Sequence, residues 1–218
     1  DQPLGSPLVV VPLLNPPLAM LWSQEAQRPY YVDPRTRKPS FEPRQGDIVL
    51  TKEPAVFSGV RCYVEQHVVF DTTMGEITFR LRPDKAPNTV LNFMDLVQRG
   101  FYSDIIFHRV VPKTSSGAPF VIQVGDPTGG GSGGPGYAIA FEQSTLPHDF
   151  GVLSMARDAD PNTAGSQVFV CLSREGTARL DGKYTSFGQA VTGAPAILGI
   201  ARVPVKEDRP LDPPILRS

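Results

Sequence analysis

A histidine and an arginine stand side by side in the otherwise apolar, strand-like stretch FHRVVPKTSSGAPFVIQVGD, residues 107–126. Neighbouring side chains of an extended strand point to opposite faces, so His108 and Arg109 face different sides of a sheet. Arg109 is then either an exposed arginine on the outside of a barrel or a fixed guanidinium above an apolar pocket, held by amides such as Gln123 and Gln167. A pocket of that kind suits a neutral substrate with one polar atom to bind.

Other patterns that could carry chemistry are weaker. The glycine run TGGGSGGPG, residues 128–136, lacks the Gly-Lys-Ser/Thr ending of a phosphate-binding loop, so a flexible surface turn beside a groove is favoured. Ser166 has no GxSxG context and His108 has no serine and aspartate partners at a fixed spacing, which argues against acyl transfer. The three histidines are far apart and no CxxC or HExxH pattern occurs, so the sequence predicts neither a metal site nor a cofactor.

The composition excludes some partners. The 218-residue chain has 21 basic and 22 acidic residues, so broad binding to nucleic acid or to acidic membranes is not expected. No run of 18 apolar residues occurs, so no membrane-spanning helix is predicted. Cys62 and Cys171 are too few for a disulfide framework; each is expected to be a small buried apolar residue, although one bridge between them stays open.

The N-terminal residues bear on the cellular compartment. The segment PLVVVPLLNPPLAMLW lacks a basic start and is interrupted by Pro12, Pro16 and Pro17, which argues against a secretory signal peptide. The chain begins with Asp1 rather than Met, which favours either processing upstream or a chain trimmed at its start. The compartment stays open, with an exported, periplasmic or otherwise processed chain favoured over a cytoplasmic one.

The proline content and the apolar pattern of the sequence change at about residue 65. Ten of the 23 prolines fall in residues 1–65, which show no sustained helical period and contain two short extended candidates, LVVV (8–11) and GDIVL (46–50). Proline-rich extended segments do not easily form a core of their own. We therefore interpret residues 1–65 as an extension that packs on, or tethers, a domain formed by residues 66–218.

Short strands separated by glycine and proline turns dominate the predicted domain. Two helices are predicted, Pro87–Arg99 and APAILGIA (194–201). The strand candidates are HVVFDTT (67–73), GEITFRLRP (75–83), IIFHRVV (105–111), FVIQVGD (120–126), YAIAFE (137–142), GVLSMA (151–156), QVFVCLS (167–173), YTSFGQAV (184–191) and PPIL (213–216). Many strands with two helices and no βαβ alternation favour a mainly β protein built as a closed β-barrel.

Five motifs, in this order, resemble the cyclophilins, a family of peptidyl-prolyl cis–trans isomerases: FHRVVP, FVIQVGD, GVLSMA, PNTAGSQVFV and LDGKYTSFG. The resemblance covers about residues 67–217 and is closer to bacterial-type members than to animal ones. It implies an eight-stranded antiparallel barrel capped by two helices, with the active groove on the outer face. It also implies a role in protein folding, with Xaa-Pro segments of client proteins as partners.

The resemblance implies roles for individual residues. Arg109 matches the catalytic arginine of the family, and His108 matches the histidine that precedes it. The implied proline pocket has the aromatic walls Phe120 and Phe169, the amides Gln123 and Gln167, and the leucine Leu180. Val121 stands where the family often has Met, and Tyr184 stands where many members have His. Gly131 matches a glycine that lines the groove, and Ala156 and Arg157 match the segment whose backbone pairs with the substrate.

Two features depart from the family pattern. Arg179 stands where animal members carry the tryptophan that binds cyclosporin, so we expect binding of this drug to be weakened while isomerisation is retained. The segment KTSSGAP, residues 113–119, replaces a much shorter link. It is predicted to form an extra lip on the groove and to alter substrate access.

The implied reaction has a barrier of about 18–20 kcal/mol that comes from amide resonance. A guanidinium aimed at the proline nitrogen donates a stronger hydrogen bond in the twisted transition state than in the planar ground state. His108 is then expected to support the arginine strand rather than to transfer a proton. Two alternatives stay open: a proline-peptide-binding module of the same fold with weak or incidental isomerase activity, and regulation of the groove by the prolines of residues 1–65.

Overall fold

The computed structural model describes residues 66–218, together with the backbone of three short strands nearer the N-terminus. The chain divides into two compact units, Asp1–Val60 and Arg61–Ser218. In the first unit, β1 (Met20–Ser23), β2 (Arg28–Val32) and β3 (Pro39–Ser40) pair in that order as an antiparallel sheet. The two extended segments predicted at 8–11 and 46–50 lie outside the described residues.

The second unit is built on a nine-stranded antiparallel sheet. Its strands are β4 (His67–Thr72), β5 (Gly75–Leu81), β6 (Ile105–Ile106), β7 (Arg109–Val111), β8 (Val121–Val124), β9 (Val152–Met155), β10 (Val168–Cys171), β11 (Ser186–Thr192) and β14 (Ile215–Leu216). Their spatial order is β6-β14-β4-β5-β11-β9-β10-β8-β7. A separate hairpin joins β12 (Val205–Lys206) to β13 (Arg209–Pro210).

The sheet curls until its two edge strands follow one another along the chain. Only Phe107 and His108 separate β6 from β7, so the chain itself joins the two edges of the barrel. The sequence predicted one strand over residues 105–111, and that prediction is wrong in detail: β6 pairs with β14, whereas β7 pairs with β8. If β6 and β7 are counted as one bent strand, the sheet has the eight antiparallel strands that were predicted. The predicted mainly β barrel fold is therefore confirmed.

Helices complete this unit. The predicted helices are α1 (Pro87–Gln98) and α3 (Ala194–Ala201), and α2 (Arg174–Thr177) is a short additional one. Pro87 suits the first turn of α1, where its missing N–H has no intrahelical partner to lose. The carboxylate of Glu142 accepts hydrogen bonds from the backbone N–H groups of Asn88 (3.1 Å) and Thr89 (2.6 Å), which serves the start of this helix as a cap would.

Alternating side chains of the central strands pack into two separate apolar clusters. On β8 and β10, Ile122, Val124, Val168 and Val170 belong to the main barrel core, which also contains the buried Phe79, Phe93, Phe107 and Phe187. Their neighbours point the other way into a second cluster on the outer face, formed by Val111, Val121, Leu146, Val152, Phe169, Cys171 and Leu180. A half-buried outer face of this kind is where the resemblance placed the groove.

One predicted strand does not form. Residues 137–142, YAIAFE, contain only an isolated bridge between Ile139 and Ala164. The Phe141 N–H donates to the side chain of Asn162 (3.0 Å) rather than to a neighbouring strand, and Glu142 serves α1 instead. Side-chain partners far along the chain therefore replace a strand ladder here, which the apolar pattern does not reveal.

Two smaller predictions concern the cysteines and a membrane-spanning helix. Cys171 is buried with a free thiol, and burial raises the pKa of that thiol to about 12; Cys62 lies outside the described residues. Within the part of the chain that the structure describes, no helix has the length and apolar character needed to cross a membrane.

Candidate active site

Arg109 is the first residue of β7, and its side chain is exposed on the outer face of the barrel. It lies directly opposite Gln123 in the β7–β8 pairing, so both side chains share one face. The guanidinium donates from Nη1 to Gln123 Oε1 (3.4 Å) and from Nη2 to Asp208 Oδ2 (3.2 Å). Two acceptors therefore orient the planar fork, while its remaining N–H donors are left for a ligand.

A chain of amides continues from Arg109 across the face. Gln123 Nε2 donates to Gln167 Oε1 (2.8 Å), and Gln167 Nε2 donates to the carbonyl oxygens of Gly131 (3.0 Å) and Gly133 (2.9 Å). Each amide accepts on one side and donates on the other, so the network fixes the orientation of both side chains. The predicted site residues Arg109, Gln123, Gln167 and Gly131 are thus brought together by direct hydrogen bonds.

The glycine run is organised around the buried carboxylate of Asp126. That carboxylate accepts hydrogen bonds from the N–H groups of Thr128 (2.7 Å), Gly131 (2.5 Å) and Gly133 (3.0 Å). Burial acts to raise the pKa of Asp126, but these hydrogen bonds outweigh it and lower the pKa to about 2. A Cβ at Gly133 would lie 2.0 Å from Asp126 Oδ1, so glycine is required there. Residues 128–136, predicted to be a flexible turn, are therefore held in place by these hydrogen bonds, and we call them the pinned turn.

An apolar pocket lies beside this polar chain. Phe169 of β10 is buried opposite Gln123 in the β8–β10 pairing, and Val121 and Leu180 are buried in the same second cluster. Phe120 and Tyr184 are half-buried and pack against that cluster, with the Tyr184 ring edge-on to Phe169 at 5.7 Å between centroids. All five predicted pocket residues therefore meet on one face of the sheet.

His108 belongs to the two-residue link between β6 and β7, so strand alternation does not set its direction. Its side chain is buried, and neither ring nitrogen has a hydrogen-bond partner among the described residues. Burial lowers the pKa of His108, which favours the neutral imidazole. The ring packs beneath the glycine turn, since a Cβ on Gly131 would lie 3.9 Å from its Cδ2 atom. This position suits support of the turn rather than contact with a substrate.

Ala156 and Arg157 follow the end of β9. The Ala156 N–H donates to the carbonyl of Gln167 (2.9 Å) and so continues the β9–β10 ladder by one residue. The guanidinium carbon of Arg157 lies 4.5 Å from the centroid of the Tyr184 ring, and Nη2 donates to the Lys183 carbonyl (2.9 Å). Arg157 therefore braces the wall that Tyr184 forms.

Sequence reasoning missed Asp208. It belongs to the turn of the β12–β13 hairpin and has a left-handed φ of 64°, which is uncommon outside glycine, asparagine and aspartate. Its carboxylate accepts from Arg109, and its carbonyl accepts from the Val110 N–H (2.7 Å). No local pattern signals this contact because the two residues lie 99 positions apart.

A second group missed from sequence lies behind Phe169. His148 is fully buried, with Nδ1 2.9 Å from Asp181 Oδ1 and Nε2 3.0 Å from Ser154 Oγ. Its ring stacks on Phe169 with 6.0 Å between centroids. Ser154 is also fully buried, so this Ser-His-Asp line is a packing element and not a hydrolase triad. Among residues 66–218, no three metal-ligating side chains come together.

The inserted segment Lys113–Pro119 forms a compact loop at the side of the pocket. The Thr114 N–H donates to the Ala118 carbonyl (2.8 Å), and the Gly117 N–H donates to the Thr114 carbonyl (2.9 Å). Ser173 Oγ donates to the Pro119 carbonyl (2.7 Å) and anchors the end of the loop. A cavity of about 370 Å³ lies between this loop and α2, lined by Arg109, Val111, Lys113, Thr114, Ser115, Ser116, Phe120, Glu175, Gly176 and Arg179.

Comparison with known proteins identifies the family. The family model described as cyclophilin type peptidyl-prolyl cis-trans isomerase/CLD matches residues 67–218. Peptidyl-prolyl cis-trans isomerase-like 1 of Aspergillus fumigatus is 45% identical over 151 residues, covering 66% of this chain and 88% of that protein. A peptidyl-prolyl cis-trans isomerase of Synechococcus elongatus is 46% identical over 121 residues, covering 56% of this chain and 77% of that protein.

Solved structures agree with the sequence comparison. A cyclophilin type peptidyl-prolyl cis-trans isomerase of Cryptosporidium parvum, crystallised in the presence of the dipeptide Ala-Pro, superposes with a TM-score of 0.63 at 33% identity, covering 70% of this chain and 96% of that one. Cyclophilin AquaCyp293 of Hirschia baltica superposes with a TM-score of 0.59 at 26% identity, covering 70% and 72%. The chain belongs to the cyclophilin-type peptidyl-prolyl cis–trans isomerase family.

Proposed function

We propose that this isomerase binds Xaa-Pro segments on the outer face of β7–β10 and that Arg109 catalyses rotation about the prolyl amide without a covalent step. The observation that carries the proposal is the place of the guanidinium. It is exposed on the same face as the apolar pocket, and Gln123 and Asp208 hold it in one orientation.

The pocket accounts for recognition of the proline ring. Phe120, Val121, Phe169 and Leu180 offer an apolar surface in which a pyrrolidine ring is removed from water. The peptide on the acyl side of the bond stays free to rotate. Holding one side of the bond while the other rotates is what cis–trans exchange requires.

Arg109 accounts for the rate. As the amide twists, its nitrogen loses conjugation and becomes a better hydrogen-bond acceptor, so a donor aimed at that nitrogen stabilises the transition state more than the planar ground state. Because Gln123 and Asp208 already orient the guanidinium, little reorganisation is needed when the charge distribution changes. A permanently protonated side chain suits this role better than a titrating one.

The location of His108 argues against acid–base catalysis. The ring is buried beneath the glycine turn, and burial favours its neutral form by lowering its pKa. A general acid must reach the reacting atom within hydrogen-bonding distance. We assign His108 the task of supporting the glycine turn.

The rest of the face is proposed to bind the peptide backbone. Ala156 and Arg157 follow the end of β9, Gly131 belongs to the pinned turn, and Tyr184 packs against the pocket. The Ala-Pro dipeptide present with the Cryptosporidium parvum protein supports a proline-containing ligand for this face. Cyclosporin is proposed to bind weakly, because Arg179 replaces the tryptophan of animal members and with it the indole N–H donor. The guanidinium carbon of Arg179 lies 4.9 Å from the centroid of the Phe120 ring.

For the remainder of the chain, we keep residues 1–65 as an extension of the isomerase domain. The division of the chain into units at Val60 and Arg61 supports a boundary near this point. The hypothesis that prolines of this extension regulate the groove concerns a segment of which the structure describes only the backbone of β1, β2 and β3. Deleting residues 1–65 tests it, because release of a blocked groove raises activity and an unchanged rate rejects regulation.

The proposed catalytic role is tested with a protease-coupled isomerisation assay on an uncharged Ala-Pro peptide. Arg109→Ala is expected to lower kcat/KM by about 10²–10³-fold, the range seen when one transition-state donor is removed. Arg202→Ala, at an exposed arginine just after α3, is the matched control and should keep the wild-type rate. Equal rates for wild type and a folded Arg109→Ala variant would reject the role of Arg109.

A further inference from the structure

The cavity between the inserted loop and α2 adjoins the proposed proline pocket. Arg109 and Phe120 line this cavity, and both also belong to the proposed catalytic face. Its volume of about 370 Å³ is more than the side chain of one amino acid needs. A peptide whose proline occupies the pocket therefore brings a neighbouring residue to the mouth of this cavity.

The lining of the cavity is polar and carries an excess of positive charge. Lys113 and Arg179 are exposed, and neither forms an ion pair with any described residue. Thr114, Ser115 and Ser116 add hydroxyl groups. Glu175 is the single acidic residue of the lining, and Asp208 offsets the charge of Arg109 from outside it. With Asp208 included, the net charge around the cavity is therefore about +1, and Lys113 and Arg179 are the two cations of the lining without an ion pair to a described residue.

We infer that this cavity is a subsite for an acidic side chain next to the target proline, formed by the inserted loop on one wall and by α2 and Arg179 on the other. A carboxylate placed there meets two unpaired cations and several hydroxyl donors, whereas an uncharged side chain gains only the hydroxyl contacts. Because the groups are exposed, the effect on selectivity is modest and depends on salt. The inference rests on the proposed function of the adjoining face.

The test compares matched peptides that differ only in one charge. Four peptides carry Glu or Gln immediately before, or immediately after, a single proline, and kcat/KM is measured by exchange NMR at low salt. Wild type is expected to act about two- to five-fold faster on the Glu member of one pair. Raising the salt concentration to about 0.5 M should remove most of that preference.

Two variants with opposite expected signs make the test specific. Lys113→Gln removes a cation and should lower the Glu/Gln ratio, whereas Glu175→Gln removes the anion and should raise it. Neither residue belongs to the proposed catalytic face, so turnover of the Gln peptides should stay at the wild-type rate in both variants and reports that they are folded.

The outcomes separate this inference from the proposed function. A Glu/Gln ratio of one in both pairs, or a ratio that neither variant moves, overturns the subsite while leaving isomerisation of the Gln peptides intact. Loss of turnover on all four peptides by wild type would instead overturn the proposed function, and the subsite with it. A ratio that falls in one variant and rises in the other supports the subsite.

Discussion

The two sides of the candidate groove are built by different means. On the pocket side, Phe169 and Gln123 face each other across paired strands, and Phe169 is buried in the second cluster. On the other side, Lys113, Ser115 and Ser116 are exposed on a loop whose hydrogen bonds are mostly internal. Sheet pairing therefore fixes one side, whereas a local turn with one anchor at its end forms the other.

This difference separates two tasks. Catalysis requires the guanidinium and the pocket to keep a fixed geometry, and a strand register supplies it because each residue's place is set by several ladder hydrogen bonds. Selection among peptides requires only that charges be offered at the rim, and an exposed loop can change its charges without disturbing the core. Substitutions on the two sides should therefore differ in kind as well as in size.

The largest effect is expected on the pocket side. Phe169→Ala removes a buried ring that packs on Val121, Leu180 and the stacked His148, and should cost about 3–5 kcal/mol in the free energy of unfolding, measured by urea denaturation. The conservative change Phe169→Leu keeps most of the apolar volume and should cost less. A loss below about 1 kcal/mol for Phe169→Ala would contradict the proposed difference between the two sides, since the pocket wall would then be no more fixed than the loop.

An intermediate effect is expected at the pinned turn. Asp126→Asn removes the charge that accepts three backbone N–H groups, and should cost about 2 kcal/mol at pH 7. The pKa of this carboxyl is about 2 in the folded chain against an ordinary value of 3.8. The unfolded chain therefore binds more protons between these values, so the contribution of Asp126 is complete above about pH 5 and is lost as the pH falls towards 2.

Urea denaturation of wild type and Asp126→Asn between pH 7 and pH 3 checks this sign. The difference in stability between the two proteins should shrink as the pH falls. A difference that stays constant, or that grows towards low pH, would show that the turn does not depend on the ionised carboxylate.

The smallest effect is expected in the inserted loop. Replacing Ser115–Gly117 by a single glycine leaves Thr114 and Ala118, whose backbones already meet through a 2.8 Å hydrogen bond, so a short link can join them. Stability should change by less than about 1 kcal/mol, and turnover of an uncharged Ala-Pro peptide should stay within about three-fold of wild type. A collapse of that turnover would mean that the loop helps to hold the catalytic face.

The same contrast explains what the sequence revealed. The strand predicted over 75–83 forms as β5, where Ile77, Phe79 and Leu81 alternate with less buried neighbours, and both predicted helices form as α1 and α3. The groove residues followed from the order of five motifs. These features depend on local pattern or on a family resemblance, and both are carried by the sequence itself.

Contacts between distant parts of the chain were not predictable. The bond from Arg109 to Asp208 spans 99 positions, and the split of residues 105–111 into two strands follows from closure of the barrel. The strand predicted at 137–142 does not form: the Phe141 N–H donates to the distant Asn162 side chain, and the Glu142 carboxylate accepts from the Thr89 N–H. In the first unit, β1 to β3 were not predicted, because all three are short and β2 and β3 also contain proline.

The central claim is that Arg109 acts in the transition state rather than in ground-state binding. The most direct measurement combines, for Arg109→Ala, the affinity for an Ala-Pro peptide from NMR titration with the rate of exchange at saturating peptide. We predict an affinity within about three-fold of wild type and an exchange rate about 10²-fold or more lower. A variant that binds the peptide far more weakly but exchanges it at the wild-type rate when saturated would contradict the account.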